Sequence, residues 1–188
     1  RTINEKITNV YTPSQEYLAD LYSRINDSRM LIKSWVFIDK ISDTPDKVKL
    51  AQLHKTDYKE VMDTLKSLSA MWDSASYRAA LFHVDSVITD SLFPKHKYIM
   101  EQLNSFEKYD DPFVVFEVQP MTEEGGEVMV MTARILTILN DLKNKQDTVV
   151  NRGRQDMIAT FNRFQNWIFI MGFILVIGAI VIGLLTIN

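Results

Sequence analysis

Cysteine is absent from all 188 residues, which removes any disulfide framework and any thiolate metal site. Glycine and proline are scarce, at six and five, and long stretches carry neither; a turn-rich β fold is excluded and long helices remain. Charge of one sign is not in excess either. The 21 basic and 24 acidic side chains leave a net charge of −3, without the clustered basic surface that nucleic acid requires. Reactive constellations are missing as well. His54, His83 and His96 show no metal-ligand spacing, and no Gly-rich phosphate loop, nucleophile elbow or metalloprotease helix occurs. The chain is therefore expected to carry no catalytic residue, no metal and no cofactor, with His54 read as a core residue on an apolar stripe.

What the sequence does have is a long oily run. From Trp167 to Ile187 no side chain is charged, and these 21 positions span roughly 31 Å of helix, the thickness of a bilayer's hydrocarbon core. Phe164 and Trp167 stand at its edge, where amphipathic rings collect at a membrane interface. The reading is a transmembrane helix over 167–187 and a separate domain over 1–166 that holds every charged group and is long enough for a sizeable core.

Periodicity in that domain is helical. Ile3, Ile7, Val10, Ser14, Tyr17, Leu21, Ser28, Leu31, Trp35 and Ile38 follow steps of three and four, so a first helix is predicted to about residue 41. Pro13 predicts a kink or restart, with Thr12 and Gln15 in a capping-box arrangement. In SDTPDK, residues 42 to 47, Thr44 can cap and Pro45 fits a first helical position, opening a second helix to about Trp72. Its stripe is Ala51, His54, Tyr58, Val61, Leu65, Leu68 and Trp72. A third helix from about residue 75 turns Tyr77, Leu81, Val84, Ile88, Leu92, Ile99, Leu103 and Phe106 inward, bent or split at Pro94. Residues 107 to 132 allow two readings, a hairpin of FVVFEV with EVMVMT or a capped connection with a fourth helix starting after Gly126. The stripe Val128, Met131, Ile135, Ile138, Leu142 and Val149 favours the second. Asp110 and Asp111 read as the cap of a turn at Pro112.

Four such segments predict an all-α fold, an antiparallel up-and-down four-helix bundle whose last helix continues into the membrane as one rod of roughly 90 Å. In such a bundle the first helix starts at the same lipid face where the fourth ends. With Arg1 uncapped and not an initiator, a first spanning helix is expected upstream, and a continuation is expected downstream of Asn188.

The start RTINEKI, the central SRMLIKSW and the end NRFQNWIFIMGFILVIGAIVIGLLTIN resemble the four-helix-bundle input domains of bacterial transmembrane receptors, the chemoreceptors and sensor histidine kinases. That resemblance is architectural and covers the whole chain. It implies a periplasmic bundle at the bacterial inner membrane, a homodimer, a HAMP-type linker after the span, and a small-molecule or protein stimulus. A guanidinium near a dimer seam can grip a carboxylate at two points, which makes Arg29 and Lys33, with Trp35 beyond, candidate ligand residues; Arg78 and Arg134 are similar candidates. The alternative for Arg29 and Lys33 is a solvated face paired with Asp27 or Asp39. Asn26 to Ser28 matches a glycosylation sequon, which a bacterial source would void. Two rival classes share the pattern: a tail-anchored helical protein that pairs with partner helices, with Gln146 setting register, and a scaffold subunit of an envelope machine. Ala179 and Gly183 form a small-xxx-small pair that suits all three.

Overall fold

The computed structural model describes residues 3–187, and among them every regular element is helical, with no strand. Helix α1 spans residues 3–37, α2 spans 45–69 and α3 spans 75–102. Two short helices follow, α4 (Phe106–Tyr109) and α5 (Pro112–Thr122), before the 61-residue α6 (Glu127–Ile187). The inward placement expected of Ile3, the pair Ala179 and Gly183, and the start at Arg1 lie outside the described residues or side chains.

Neither Pro13 nor Pro94 breaks its helix. A π turn precedes each, at Ile7–Tyr11 and at Ile88–Leu92. Thr12 N–H reaches back five residues to Ile7 O, and Phe93 N–H to Ile88 O. The wider turn absorbs the amide that the next residue, a proline, does not have, and the ladder resumes beyond it. For the same reason Thr12 forms no cap, because it lies inside a continuous helix. Thr44 does flank α2 in extended conformation, but its hydroxyl donates to Asp39 Oδ2 at 3.0 Å instead of capping.

A third π turn, Leu53–Asp57, has no proline after it and changes phase instead. One extra residue in that turn rotates everything upstream, so Leu50 and Leu53 point inward and Ala51, expected inside, is exposed. Ile38 and Phe106 also depart from expectation, at 74% and 55% exposed. Helix α1 stops at Phe37 rather than near 41, and α3 stops at Gln102, so the helical phase that placed both residues no longer applies.

Residues 107 to 132 form no hairpin. Pro112–Thr122 is helical, a segment absent from the sequence reading, with Val114, Val118 and Thr122 inward at four-residue steps. Asp111 caps it, accepting Phe113 N–H at 3.0 Å, as its position before Pro112 suggested. The turn into α6 requires both glycines. Gly125 has φ +88, and a Cβ on Gly126 would lie 2.3 Å from Pro120 O. Helix α6 then starts at Glu127, as the preferred alternative anticipated.

Packing joins α1 to both α2 and α6, and α3 to α6. Gln15 Nε2 donates to Asp147 Oδ1 at 2.6 Å, Trp72 Nε1 to Ser14 Oγ at 2.9 Å, and Tyr11 OH to Asp73 Oδ2 at 2.7 Å. Leu18, Leu21, Ile25, Leu65, Leu81, Val84 and Leu139 fill the space between. Gln146 also faces this interior, fully buried, with neither amide oxygen nor nitrogen hydrogen-bonded. An unsatisfied buried polar group costs about 1–3 kcal/mol. Gln146→Leu is therefore expected to raise the denaturant midpoint, by about 1–2 kcal/mol of stability. A lowered midpoint would mean that the amide makes a stabilising bond.

Candidate functional site

The end of the helical body farthest from the apolar stretch carries the most developed polar site. There Lys47, in the first turn of α2, follows Pro45 and precedes Leu50 by three residues, so the phase that buries Leu50 carries the lysine inward too. It is only 7% exposed. Its ammonium donates to Tyr109 OH at 3.0 Å and lies 4.7 Å from the Trp35 ring centroid and 5.1 Å from that of Tyr109. Tyr109, brought in by α4, shares its own proton between Trp35 O at 2.8 Å and Asp39 O at 3.0 Å. Trp35 Nε1 in turn donates to Leu103 O at 3.3 Å, locking the end of α1 to the end of α3.

Among the described residues no carboxylate lies within ion-pair distance of Lys47. Burial pushes its pKa down, and the more distant charges of Asp39 and Asp43 offset only part of that. Burial likewise pushes the Tyr109 phenol up to about 12, so it stays a neutral acceptor. Lys47 and Trp35 line a groove of 1070 Å³ between the start of α2 and the end of α3, with Lys55, Lys97, Met100 and Glu101.

Of the residues singled out from sequence, Arg29 and Lys33 come together. They line a smaller groove of 360 Å³ with Glu124 and Met129. Arg29 bonds Asn26 Oδ1 at 3.1 Å, whereas Asp27 pairs with Lys49 and Asp39 accepts from Ser34 and Thr44. Trp35 faces the other groove, with Lys47. Arg78 lies toward the opposite end of the helical body. Its guanidinium donates to Ser69 O, Ala70 O and Trp72 O at 2.9 to 3.3 Å, satisfying the last carbonyl of α2 and two in the turn that follows it. Arg134 is exposed on α6 and lines neither groove. Phe164 and Trp167 are exposed at 62% and 65%, with the apolar face that follows them.

Lys47 and Tyr109 escaped the sequence reading. The lysine's inward phase was a usable signal, one turn before Leu50; the tyrosine gave none, because its position depends on how the connection folds back. A second cluster was invisible for the same reason. His54 and His96, on different helices, meet with Nε2 and Nδ1 3.2 Å apart. His54 stacks on Phe93 at 4.0 Å, and Tyr58, edge-on to Phe93, donates to Asp85 at 2.6 Å. His96 is fully buried and its Nε2 has no partner. No group of three His, Asp or Glu side chains able to hold a metal ion occurs among the described residues.

Burial holds both imidazoles neutral, His54 down to about 4 and His96 to about 3, the latter also disfavoured by its neighbour. Folded values below the unfolded one mean that the unfolded chain binds protons first as pH falls. Stability is thus complete well above pH 6.5 and declines from about there toward pH 4 for His54 and pH 3 for His96, on the order of 2 kcal/mol for each imidazole by pH 5 and roughly 4 kcal/mol for the pair. Denaturation midpoints at pH 7 and pH 5 are expected to show this loss, and His54→Phe with His96→Leu to flatten it. A midpoint independent of pH over that range would place the pair in contact with solvent.

Comparison with known proteins finds no matching family model, no matching curated protein and no matching solved structure, so the reading of function rests on the chain's own geometry.

Proposed function

We propose that the chain is the sensory input module of a membrane-bound bacterial signal transducer. Residues 1–166 form an antiparallel up-and-down four-helix bundle on the periplasmic side of the inner membrane, and 167–187 span it. A ligand or partner that favours one of two bundle packings moves α6 along or about its axis, and the helix carries that shift to a cytoplasmic output region. The module works as a homodimer, with a HAMP-type linker after the span.

The observation that carries this reading is the continuity of α6. It contains no proline and passes without a break from buried Val128, Ile135, Leu139 and Leu142 to exposed Trp167, Ile170, Phe173 and Ile174. One helix is thus both core and a segment long and apolar enough to cross a membrane. Its order of contacts supports the bundle. Along α6, Glu127 meets Lys95 at 2.7 Å, Lys145 lies 5.1 Å from the ring centroid of Tyr77, and Asp147 meets Gln15. Rising numbers on α6 therefore meet falling numbers on α3. Between α1 and α2 the same holds, from Asp27 with Lys49, through Arg24 with Asp57 at 3.2 Å, to Ser14 with Trp72.

Replacing four consecutive residues around Asn162 with glycine is expected to abolish the stimulus response of the intact transducer while the upper helices melt at an unchanged temperature, since about 1 kcal/mol per glycine weakens only the exposed rod. An undiminished response rules out transmission through α6. The chain is also expected to float with phospholipid vesicles, and a version ending at Gln165 to stay at the bottom of the gradient. Flotation of the shortened form would move the membrane contact elsewhere.

A further inference from the structure

We infer that the 1070 Å³ groove between α2 and α3 binds a small monocarboxylate with an apolar or aromatic body, using Lys47 as counter-charge and Trp35 as part of its wall. This deepens the sensory reading by naming a ligand class, and rests on it for its biological meaning, though binding itself is measured without any output.

Three features fix the ligand class. First, Lys47 is a buried ammonium whose close partners among the described residues are one neutral phenol and two aromatic faces. A buried cation without an anion is under-compensated, and a carboxylate entering the groove supplies the missing charge through a charge-assisted hydrogen bond. It also stands in the first turn of α2, where the helix dipole already favours negative charge. Second, the number of charges is limited. Lys55 and Lys97 lie at the groove with Lys47, but Asp43 and Glu101 line it too, and Lys97 is 3.7 Å from Glu101. That balance leaves one uncompensated positive centre, which suits a single carboxylate and opposes phosphate. Third, Trp35, Val48, Ala51 and Met100 supply apolar wall around the cation, so the ligand's body must be apolar or aromatic to gain from desolvation.

The experiment uses the full chain in detergent or nanodiscs, with phenylacetate as the probe, phenylacetamide as its neutral isostere, and inorganic phosphate as the multiply charged control. Phenylacetate is expected to raise the melting temperature and change tryptophan fluorescence saturably, while the amide and phosphate do neither. Lys47→Met, which replaces a buried cation by an apolar side chain of similar length, is expected to melt no lower than the parent and to bind phenylacetate at least about tenfold more weakly. Ala51→Glu, at an exposed helical position on the groove wall, should weaken binding to a similar degree without loss of stability, and keeps the test valid if Lys47→Met does not fold. The inference is overturned if phenylacetate gives no saturable change, if phenylacetamide binds equally well, or if either folded variant binds phenylacetate as the parent does. Should the intact transducer still respond to some stimulus when phenylacetate fails to bind, the ligand assignment falls and the sensory reading stands. Should phenylacetate bind while the glycine block at Asn162 leaves signalling intact, the reverse holds.

Discussion

Everything in this molecule depends on the unbroken hydrogen-bond ladder of α6. An α-helix resists bending because each turn is tied to the next through backbone bonds that have no alternative partner inside a packed core or a bilayer. Val128, Leu139 and Val150 fix α6 against α1 and α3 at one end, while from Ile158 to Ile180 its side chains face outward. The two halves obey different rules. The first is held by shape, because displaced knobs must find new holes; the second, long and apolar enough to cross a membrane, packs against no other helix among the described residues. In the proposed sensory role, such a rod would hand on whatever position its packed end adopts.

Within the packed end, three π turns set the phases of the helices. Two of them accommodate Pro13 and Pro94, converting what would be breaks into continuous helices. The third, at Leu53–Asp57, serves no proline and resets the phase of α2. Beside it the rings of His54 and Phe93 stack, so the π turn of α2 and the residue that follows the π turn of α3 meet face to face. Each π turn contains a residue more than the α-helical pattern needs. The two helices that flank the groove at Lys47 are thus also the two whose phases meet at the histidine layer.

Local chemistry made most of the fold legible. Scarce glycine and proline, the stripes through Leu21, Leu65, Leu81 and Ile135, the SDTPDK corner, and the start of α6 after Gly126 were all readable, because each depends on neighbours within a turn or two. The misses share a cause. A strict helical period puts Ala51 inside, since it has no means of signalling an inserted π residue. The same period puts Phe106 inside, because nothing nearby marks the end of α3 at Gln102. Helix α5 was hidden under FVVFEV, whose β-branched and aromatic residues favour strands until packing of Val114 and Val118 decides otherwise. At the candidate site the contrast is sharper. Arg29 and Lys33 share a helix face, so their proximity could be read; Lys47 with Tyr109, and His54 with His96, are joined only by tertiary packing across 62 and 42 residues.

The polar groups of the interior are satisfied unevenly, and the pattern has a direction. Around Lys47 the Tyr109 hydroxyl, the Trp35 indole and the Asp39 carboxylate all have partners, so that end is satisfied except for one missing negative charge. Farther along, His96 Nε2 lacks a partner, and nearer the apolar stretch Gln146 lacks two. A fully apolar substitute would pack as well at either place, so the observed packing is not the most stable one this backbone could hold. Such groups lower the cost of leaving the present arrangement, since any alternative that hydrates or pairs them regains about 1–3 kcal/mol for each. Allosteric couplings are of that same size, roughly 1–3 kcal/mol. Under the sensory proposal, a ligand that supplied the missing charge at Lys47 would need a differential affinity of only about that size to favour an arrangement that pairs His96 and Gln146.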